Sequence, residues 1–528
     1  MGVLIYATPE GLALSDDSIA YIAGARSILD GQGYREAWLA TNSPVTHFPP
    51  AFSYALAFIG LSGLDPLRGA HFLNIFLFGA SAFLLGIIGW RMTKSQVAGC
   101  VLAALFAVNS SLFRTYAAAM SEPLYIFFSL VAFLTFAKHL STTENTERTE
   151  GFEKKYSVTS VFSVVNIWLV ATGVLTALAY LTRYAGLALL ATFFLAMVLF
   201  GGVRRGINPR LNSWKSAKAD LLAFFGGFLP LVLAWSIRNW IVADNATNRV
   251  FVFHPLTMEN LSIGANTLAE FFIPVESWRN SLAQPPVGNA DIFGAFLILL
   301  ALSIVGWLAV RGLYTEEAPE TLSFVNGLYI FAYLASMISS MLFFDASTKF
   351  KLRIVAPIYV SLFILLVLFG YFLWQKRALF LQVLVAAGAI FILTISIYDT
   401  AGHVAKYHRS GQGYASFQWY DSKAMAFLKK LPAGTRIYTN QAPAVYLYTR
   451  RPAYVLPDLV DPVTNLPRGN FELGVKNLHE SILSGEGVLA LFGFDKEAEE
   501  VKVVYRQLAD GLYLAHDTKG DKIYTAYP

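Results

Sequence analysis

The feature that most limits the fold is a succession of apolar segments, each near the roughly 20 residues that a helix needs to cross the hydrocarbon core of a bilayer. They fall at about 70–90, 96–113, 122–138, 159–181, 184–202, 221–243, 291–310, 321–344, 354–374 and 378–398. About ten helical spans are expected, because in lipid a helix satisfies its own backbone hydrogen bonds. Composition agrees. Of 528 residues, 55% are hydrophobic and only 14% are charged, where soluble domains carry roughly 25%. A net charge of +5 over this length is too small for the basic footprint of a nucleic-acid binder, so no nucleic acid is expected as a partner. The single cysteine, Cys100, lies in an apolar run, and no internal disulfide can form.

Basic residues beside the spans sort the loops. Arg91 with Lys94, Lys154 with Lys155, the stretch from Val203 to Lys218, Arg311, and Lys376 with Arg377 fall on alternate loops, which marks that side as cytoplasmic. The other side then receives Asp16, Asp17, Glu122, the long connection at about 244–290, Asp345 and everything after about 399. Residues 46–64, "THFPPAFSYALAFIGLSGL", are short and broken by Pro49, Pro50 and Gly60, and are expected to lie along the interface as a juxtamembrane helix. The first dozen residues are too short to cross, so the alternation calls for a span upstream of Asp16. The chain divides into a multi-span membrane domain over 1–400, with its first external loop at 13–69, and a soluble extracytoplasmic α/β domain over 401–528. In that tail "RIYTN", "AYVLP" and "GVLALFGF" read as strands and "FELGVKNLHESILS" as a helix. The end, "VKVVYRQLADGLYLAHDTKGDKIYTAYP", holds period-two runs around Asp-Gly and Lys-Gly, which predicts closing hairpins. No phosphate loop, zinc spacing or nucleophile elbow stands out in the tail.

Against this apolar background the stretch "SDDSIAYIAGARSILDGQGY", Ser15 to Tyr34, keeps two adjacent carboxylates. A charge at a membrane edge costs several kcal/mol unless it meets water or a partner. Asp17 and Tyr21 stand at i and i+4, so a helix starting near Asp16 presents Asp17 in its first turn; Ser15, Asp16 or Asp17 would serve equally as its cap. Glu122-Pro123 opens a helix or orients a substrate. Arg183, Arg238 and Arg353 lie near span ends, where guanidinium forks match phosphate oxygens or simply snorkel to water. His47, before Pro-Pro, is a loop anchor or a hydrogen-bond partner. His47, His71, Asp16 and Asp17 are of ligating types but show no ligand spacing, so no metal is assigned.

The arrangement Asp17-x-x-x-Tyr21, Ala25, Leu29, Gly31 and Gly33-Tyr34, followed by His47-Phe48-Pro49-Pro50, resembles the first external loop of membrane glycosyltransferases related to protein O-mannosyltransferases. These include the aminoarabinose and lipopolysaccharide-core galacturonosyl transferases. In order along the chain, "SEPLYIFF" with Glu122, "ALAYLTRYAGLALL" with Arg183, "WSIRNWIVADN" with Arg238 and Asn239, "FDASTKFKLRIVAPIY" with Arg353 and Pro357, and "IYTNQAPAVYLYTRRPAYVLP" are similar to further elements of that family. The resemblance implies a polytopic α-helical protein of the GT-C type in the inner (plasma) membrane, with no required cofactor. It implies an inverting transfer of a sugar from a polyprenyl-phosphate carrier to a hydroxyl of a protein, lipid or glycan on the outer face. Asp17 is then the expected base and Asp16 the second candidate, with Glu122 beside them. Arg183, Arg238 and Arg353 are the expected phosphate ligands, and Tyr21, His47 and Asn239 contact substrate. Two features depart from the family: the N-terminal helix is absent or truncated, and Asp17 is followed by Ser18 where several relatives have Glu. The rival expectation is a transporter or carrier-lipid flippase. It would place ionisable groups near the bilayer midplane, whereas here they lie at span ends.

Overall fold

The computed structural model describes residues 1–150, 158–207, 214–243, 250–283, 299, 302, 303, 305–307, 310, 318–461, 463–518 and 520–528. The chain opens with α1 (Gly2–Ala7), α2 (Asp16–Leu29) and α3 (Ala51–Gly60). The helix α4 (Pro66–Thr93) starts where the helix code asks for it: Pro66 needs no amide partner and the Asp65 carboxylate accepts from the Leu67 N–H at 2.9 Å. Ser95 likewise caps α5 (Gln96–Val108), and Asn109 caps α6 (Ser110–Tyr116), so this span bends by 65° between two separately capped helices.

There follow α7 (Glu122–Glu150), α8 (Val158–Thr182), α9 (Leu187–Ile207), α10 (Trp214–Ala243), α11 (Met258–Phe272), α12 (Glu276–Ala283), α13 (Ala318–Phe343), α14 (Leu352–Gln375) and α15 (Leu379–Ser410). Among the described residues six helices, α4, α7, α10, α13, α14 and α15, are long and apolar enough to cross a bilayer, and the bent pair α5–α6 makes a seventh. The expected segments 159–181 and 184–202 coincide with α8 and α9, whose described apolar stretches are shorter. The expected span at 291–310 falls largely outside the described residues, as do Lys154, Lys155, Arg311 and part of the basic stretch from Val203 to Lys218. The juxtamembrane helix expected within 46–64 is α3, ten residues long.

Helices in this bundle approach closely through small residues, as is usual where apolar burial gives no driving force between helices in lipid. On α8 a Cβ at Gly173 would strike the Phe224 carbonyl of α10, and on α10 a Cβ at Gly227 would strike the Val170 carbonyl of α8. The centre of the membrane region is aromatic: Phe78, Phe106 and Tyr116 pack edge to face and are buried, and Tyr116 donates to Ser81 at 2.8 Å. The last span, α15, is almost wholly unburied along its apolar window and runs on to Ser410.

Beyond it the tail forms a five-stranded mixed sheet in the order β2-β1-β3-β5-β4, with β1 (Arg436–Thr439), β2 (Tyr454–Val455), β3 (Gly487–Leu491), β4 (Tyr513–Thr518) and β5 (Asp521–Thr525). β1 is parallel to β2 and β3, and only β4 and β5 close a hairpin. The second hairpin expected around Asp510-Gly511 is instead a helix, Glu499–Ala509, which Gly511 follows at φ +71°. The period-two run deceived because Val504 and Leu508 also sit four apart, and it is this spacing that buries Leu508 against the sheet. The tail is tied to the bundle at Asp65, whose carboxylate takes Arg26 at 2.8 Å from α2 and Arg450 at 3.2 Å from the tail domain.

A larger residue at the α8–α10 crossing must push the two backbones apart. Gly173→Val is expected to destabilise the purified protein by about 1–3 kcal/mol, visible as a lowered thermal midpoint in detergent. Gly226→Val, whose added Cβ meets open space, serves as the control and is expected to leave the midpoint nearly unchanged.

Candidate active site

The N-terminus of α2 is built by main-chain pairing. The Ala13 N–H donates to the Ala117 carbonyl at 2.8 Å and the Ala119 N–H to the Ala13 carbonyl at 3.0 Å. On the other side the Tyr414 N–H donates to the Leu14 carbonyl at 2.9 Å. Gly413, at φ +59°, lies where any Cβ would strike the Leu14 carbonyl. Ser15 then caps the helix, and the Ser18 hydroxyl accepts from the Ser15 N–H at 3.1 Å. Both aspartates are thus released from capping and stand in the first turn, where the positive end of the helix favours them.

They go separate ways. Asp16 accepts a hydrogen bond from the Tyr414 hydroxyl, which also lies 2.7 Å from Gln441. Burial, and then the charge of Asp16, hold the Tyr414 phenol far above its ordinary value, so it remains a neutral donor. Asp17 meets Arg353 of α14 at 2.8 Å, with the two side chains 31% and 39% exposed. The pair is open enough for a substrate to compete for it. The Arg353 guanidinium also rests 3.6 Å from the Met120 sulfur, onto which the Ser15 and Ser18 hydroxyls donate at 3.4 and 3.3 Å.

Glu122 and Arg183 form a second pair, at 2.6 Å, in a different environment. The Glu122 side chain is 0% exposed and that of Arg183 19%. The contact is ionic, and neither Glu122 oxygen has an aligned hydrogen bond among the described residues. Arg183 donates to Ser121 at 3.3 Å, and the Tyr21 hydroxyl lies 3.3 Å from that same oxygen. Burial, reinforced by Asp17, pushes the Tyr21 phenol well up, which keeps it neutral beside the two carboxylates. The structure therefore brings together Asp17, Tyr21, Glu122, Arg183 and Arg353, drawn from α2, α7, the turn after α8 and the start of α14.

Arg238 and Asn239, expected at phosphate and substrate, sit differently. Arg238 donates to the main-chain carbonyls of Val45 and, at 3.1 Å, Tyr34, and its guanidinium stacks 5.1 Å above the Trp235 ring. Asn239 is buried and its amide reaches the Thr46 carbonyl at 3.5 Å, where the Tyr184 hydroxyl also donates at 3.3 Å. These side chains grip the ladder of residues 34–45, in which the Val45 N–H donates to the Tyr34 carbonyl at 3.1 Å and the Glu36 N–H to the Ser43 carbonyl at 2.8 Å. His47 stands at the ladder's foot, its Nδ1 3.7 Å from the Glu36 carboxylate, which burial pushes above its usual range. His71 bonds Thr8 at 2.8 Å, apart from His47 and the aspartates. Among the described residues no group of three or more His, Cys, Asp or Glu side chains is placed as a metal shell. Sequence reasoning missed Tyr414, Met120 and Ser121, which carry no spacing signal.

No protein-family model matches the chain, and no curated protein sequence matches it. Solved structures do. The crystal structure of the Archaeoglobus fulgidus oligosaccharyltransferase in its apo form is 15% identical with a TM-score of 0.57, over 100% of this chain and 74% of that one. The same organism's AglB, in complex with an inhibitory peptide and a dolichol-phosphate, is 14% identical with a TM-score of 0.53, over 100% and 74%. ArnT from Cupriavidus metallidurans, bound to undecaprenyl phosphate, is 10% identical with a TM-score of 0.50, over 100% and 96%. The fold is thus the GT-C fold that the sequence resemblance implied, down to a polytopic bundle with a small C-terminal sheet domain.

Two predictions follow from the pairs around α2. Breaking a buried ion pair from one side costs roughly 3–5 kcal/mol, whereas replacing both partners by apolar groups is often neutral. Glu122→Gln and Arg183→Met are each expected to lower the thermal midpoint sharply, and the Glu122→Met/Arg183→Met double variant to recover most of the loss. At Asp65, burial raises the carboxyl, but hydrogen bonds and charge from Arg26, with help from Leu67 and Arg450, outweigh it and hold the group below its usual range. Its stabilisation is then complete above about pH 4 and is lost as pH falls through the lowered value. Between pH 6 and 3 the thermal midpoint of Asp65→Asn is expected to fall less than that of the unmodified chain.

Proposed function

We propose that the chain is an inverting glycosyltransferase that moves a sugar from a polyprenyl-phosphate carrier to an acceptor hydroxyl, with the Asp17 face outside the plasma (inner) membrane. The observation that carries this reading is the Asp17–Arg353 pair, 2.8 Å long and partly open to solvent, at the end of an apolar bundle of GT-C architecture. The reaction asks for two groups close together: a base for the acceptor proton and a cation for the departing phosphate. A carboxylate and a guanidinium already in contact supply both.

In the proposed step the phosphate of the donor takes the Arg353 fork, which binds phosphate oxygens in a bidentate manner, and Asp17 is freed to accept from the acceptor hydroxyl. The acceptor oxygen attacks the anomeric carbon as the bond from that carbon to the phosphate oxygen breaks. The proton passes to Asp17 and the bonding pair leaves with the polyprenyl phosphate, whose charge Arg353 holds. A single displacement inverts the anomeric centre. Tyr21 and the buried Glu122–Arg183 pair fix the floor beneath Asp17; Arg238, Asn239 and His47 fix the loop beside it; Asp16 ties the helix to the tail domain. The guanidinium supplies the charge that a metal ion would otherwise bring, so no metal is assigned a part. The transporter reading has less support, because these pairs lie at helix ends and not in broken helices at mid-depth.

Sugar consumption from a panel of polyprenyl-phosphate sugars in membranes tests the proposal. Asp17→Asn at matched expression is expected to lower turnover by about 10²–10⁴-fold while still retaining donor, and Arg353→Ala to weaken donor binding, with Arg353→Lys intermediate. Incubation with EDTA is expected to leave turnover unchanged. Equal turnover in Asp17→Asn reduces that residue to a structural anion, and the absence of turnover with every donor overturns the reading.

A further inference from the structure

A cleft of about 380 Å³ lies in the tail domain, away from Asp17, between the β1–β2 edge of the sheet and the helix Phe471–Leu483. Its size is in the range of small-molecule sites. Two kinds of wall meet in it. One is aromatic: Tyr438 and Tyr454, neighbours on adjacent strands, stack with centroids 5.0 Å apart and an angle of 23°, and Phe471 stands opposite. The other is polar: Asp458, Arg468 and Asn470. Asn470 is informative. It occupies the cap position of its helix, where an Asn side chain ordinarily bonds the free amides, yet it makes no capping bond and lines the cleft instead. The loop is held over the helix by Gly474, where an added Cβ would come within 3.2 Å of the Pro457 ring.

The lining selects the ligand. The carboxylate of Asp458, with Asp461 beside it on Arg468 at 2.8 Å, disfavours a phosphate or other anion. Arg468 disfavours an amine, and three polar side chains disfavour a purely apolar tail. What remains is a neutral molecule that offers adjacent hydroxyls, for carboxylate, guanidinium and amide together, and an apolar face for the tyrosine rings. A pyranose has that surface.

Main-chain bonds from the segments around the cleft reach elements that carry site residues. The Ala453 N–H, one residue before β2, donates to the Trp38 carbonyl at 3.2 Å, and the Ala40 N–H returns a bond to the Ala453 carbonyl at 3.0 Å, both within the ladder that carries Glu36 and ends at His47. Between Asp458 and Arg468 in sequence, the Val463 carbonyl accepts from the Ala346 N–H at 2.9 Å, in the connection that leads to Arg353.

We infer that this cleft is a saccharide-binding subsite that holds a neutral sugar unit of the acceptor glycan; the acceptor role rests on the transferase reading above, and the binding does not. Saturation-transfer NMR on the full chain in nanodiscs, with maltotriose, chitotriose and mannotriose as probes and methyl phosphate, whose methyl protons report saturation, as the anionic control, reads binding without any donor. At least one trisaccharide is expected to receive saturation, phosphate none. Tyr454→Ala and Asn470→Ala are expected to weaken that binding at least about tenfold, the latter change lying on the surface, and Tyr454→Phe to retain it. No transfer to any probe, transfer to phosphate alone, or unaltered binding in both alanine variants overturns the subsite. Binding in a protein that turns over no polyprenyl-phosphate sugar overturns only the acceptor role, because the two readouts are separate.

Discussion

A carboxylate and a guanidinium meet at Glu122 and Arg183 where water scarcely reaches, and much of the site depends on their doing so. In such a place the attraction is strong but so is the cost of removing either charge from water, so each fixes the other's position. The pair joins the first turn of α7 to the turn after α8. Ser121, one residue before Glu122, then takes Arg183 and Tyr21 together on one hydroxyl. Through Tyr21 the constraint passes to α2, one helical turn from Asp17. The pair above is partly open to solvent, and the pair below is closed.

The two adjacent aspartates illustrate how a helix separates neighbours. Successive residues on a helix point about 100° apart, so Asp16 turns to the tail domain and Asp17 to α14. Asp16, exposed, bonds a tyrosine kept neutral by burial; Asp17, half-buried, lies beside an arginine. Equivalent chemistry in sequence is divided between a tyrosine bond and an arginine pair by one step along the chain.

Much of this was legible beforehand. The apolar spans, a short helix within 46–64, the mixed character of the tail and the start of a helix at Asp16 all follow from apolar run length, periodicity and capping residues, which are local properties. The i, i+4 spacing placed Asp17 with Tyr21. That Asp17 meets Arg353 was not expected, since no local rule joins residues so far apart; the family resemblance had offered them only as base and phosphate ligand. The tie of Asp16 to Tyr414, 398 residues away, gave no signal at all. Arg238 misled for a physical reason: an arginine at a span end looks the same in sequence whether it awaits a phosphate or grips backbone carbonyls. The helix at Glu499–Ala509 misled because Val501 and Val503 satisfy period two while Val504 and Leu508 stand four apart.

Arg238 holds the two ends of the ladder after α2 by the main-chain oxygens of Tyr34 and Val45, and Asn239 and Tyr184 reach the Thr46 carbonyl just beyond it. Such a clasp is indifferent to which side chains the ladder carries. Ladder side chains that make no packing contact can therefore change without loosening these bonds, whereas Ala37, Trp38 and Leu39 rest against the core. A lineage that needed a new surface beside α2 would find here a segment partly insulated from the cost of experiment.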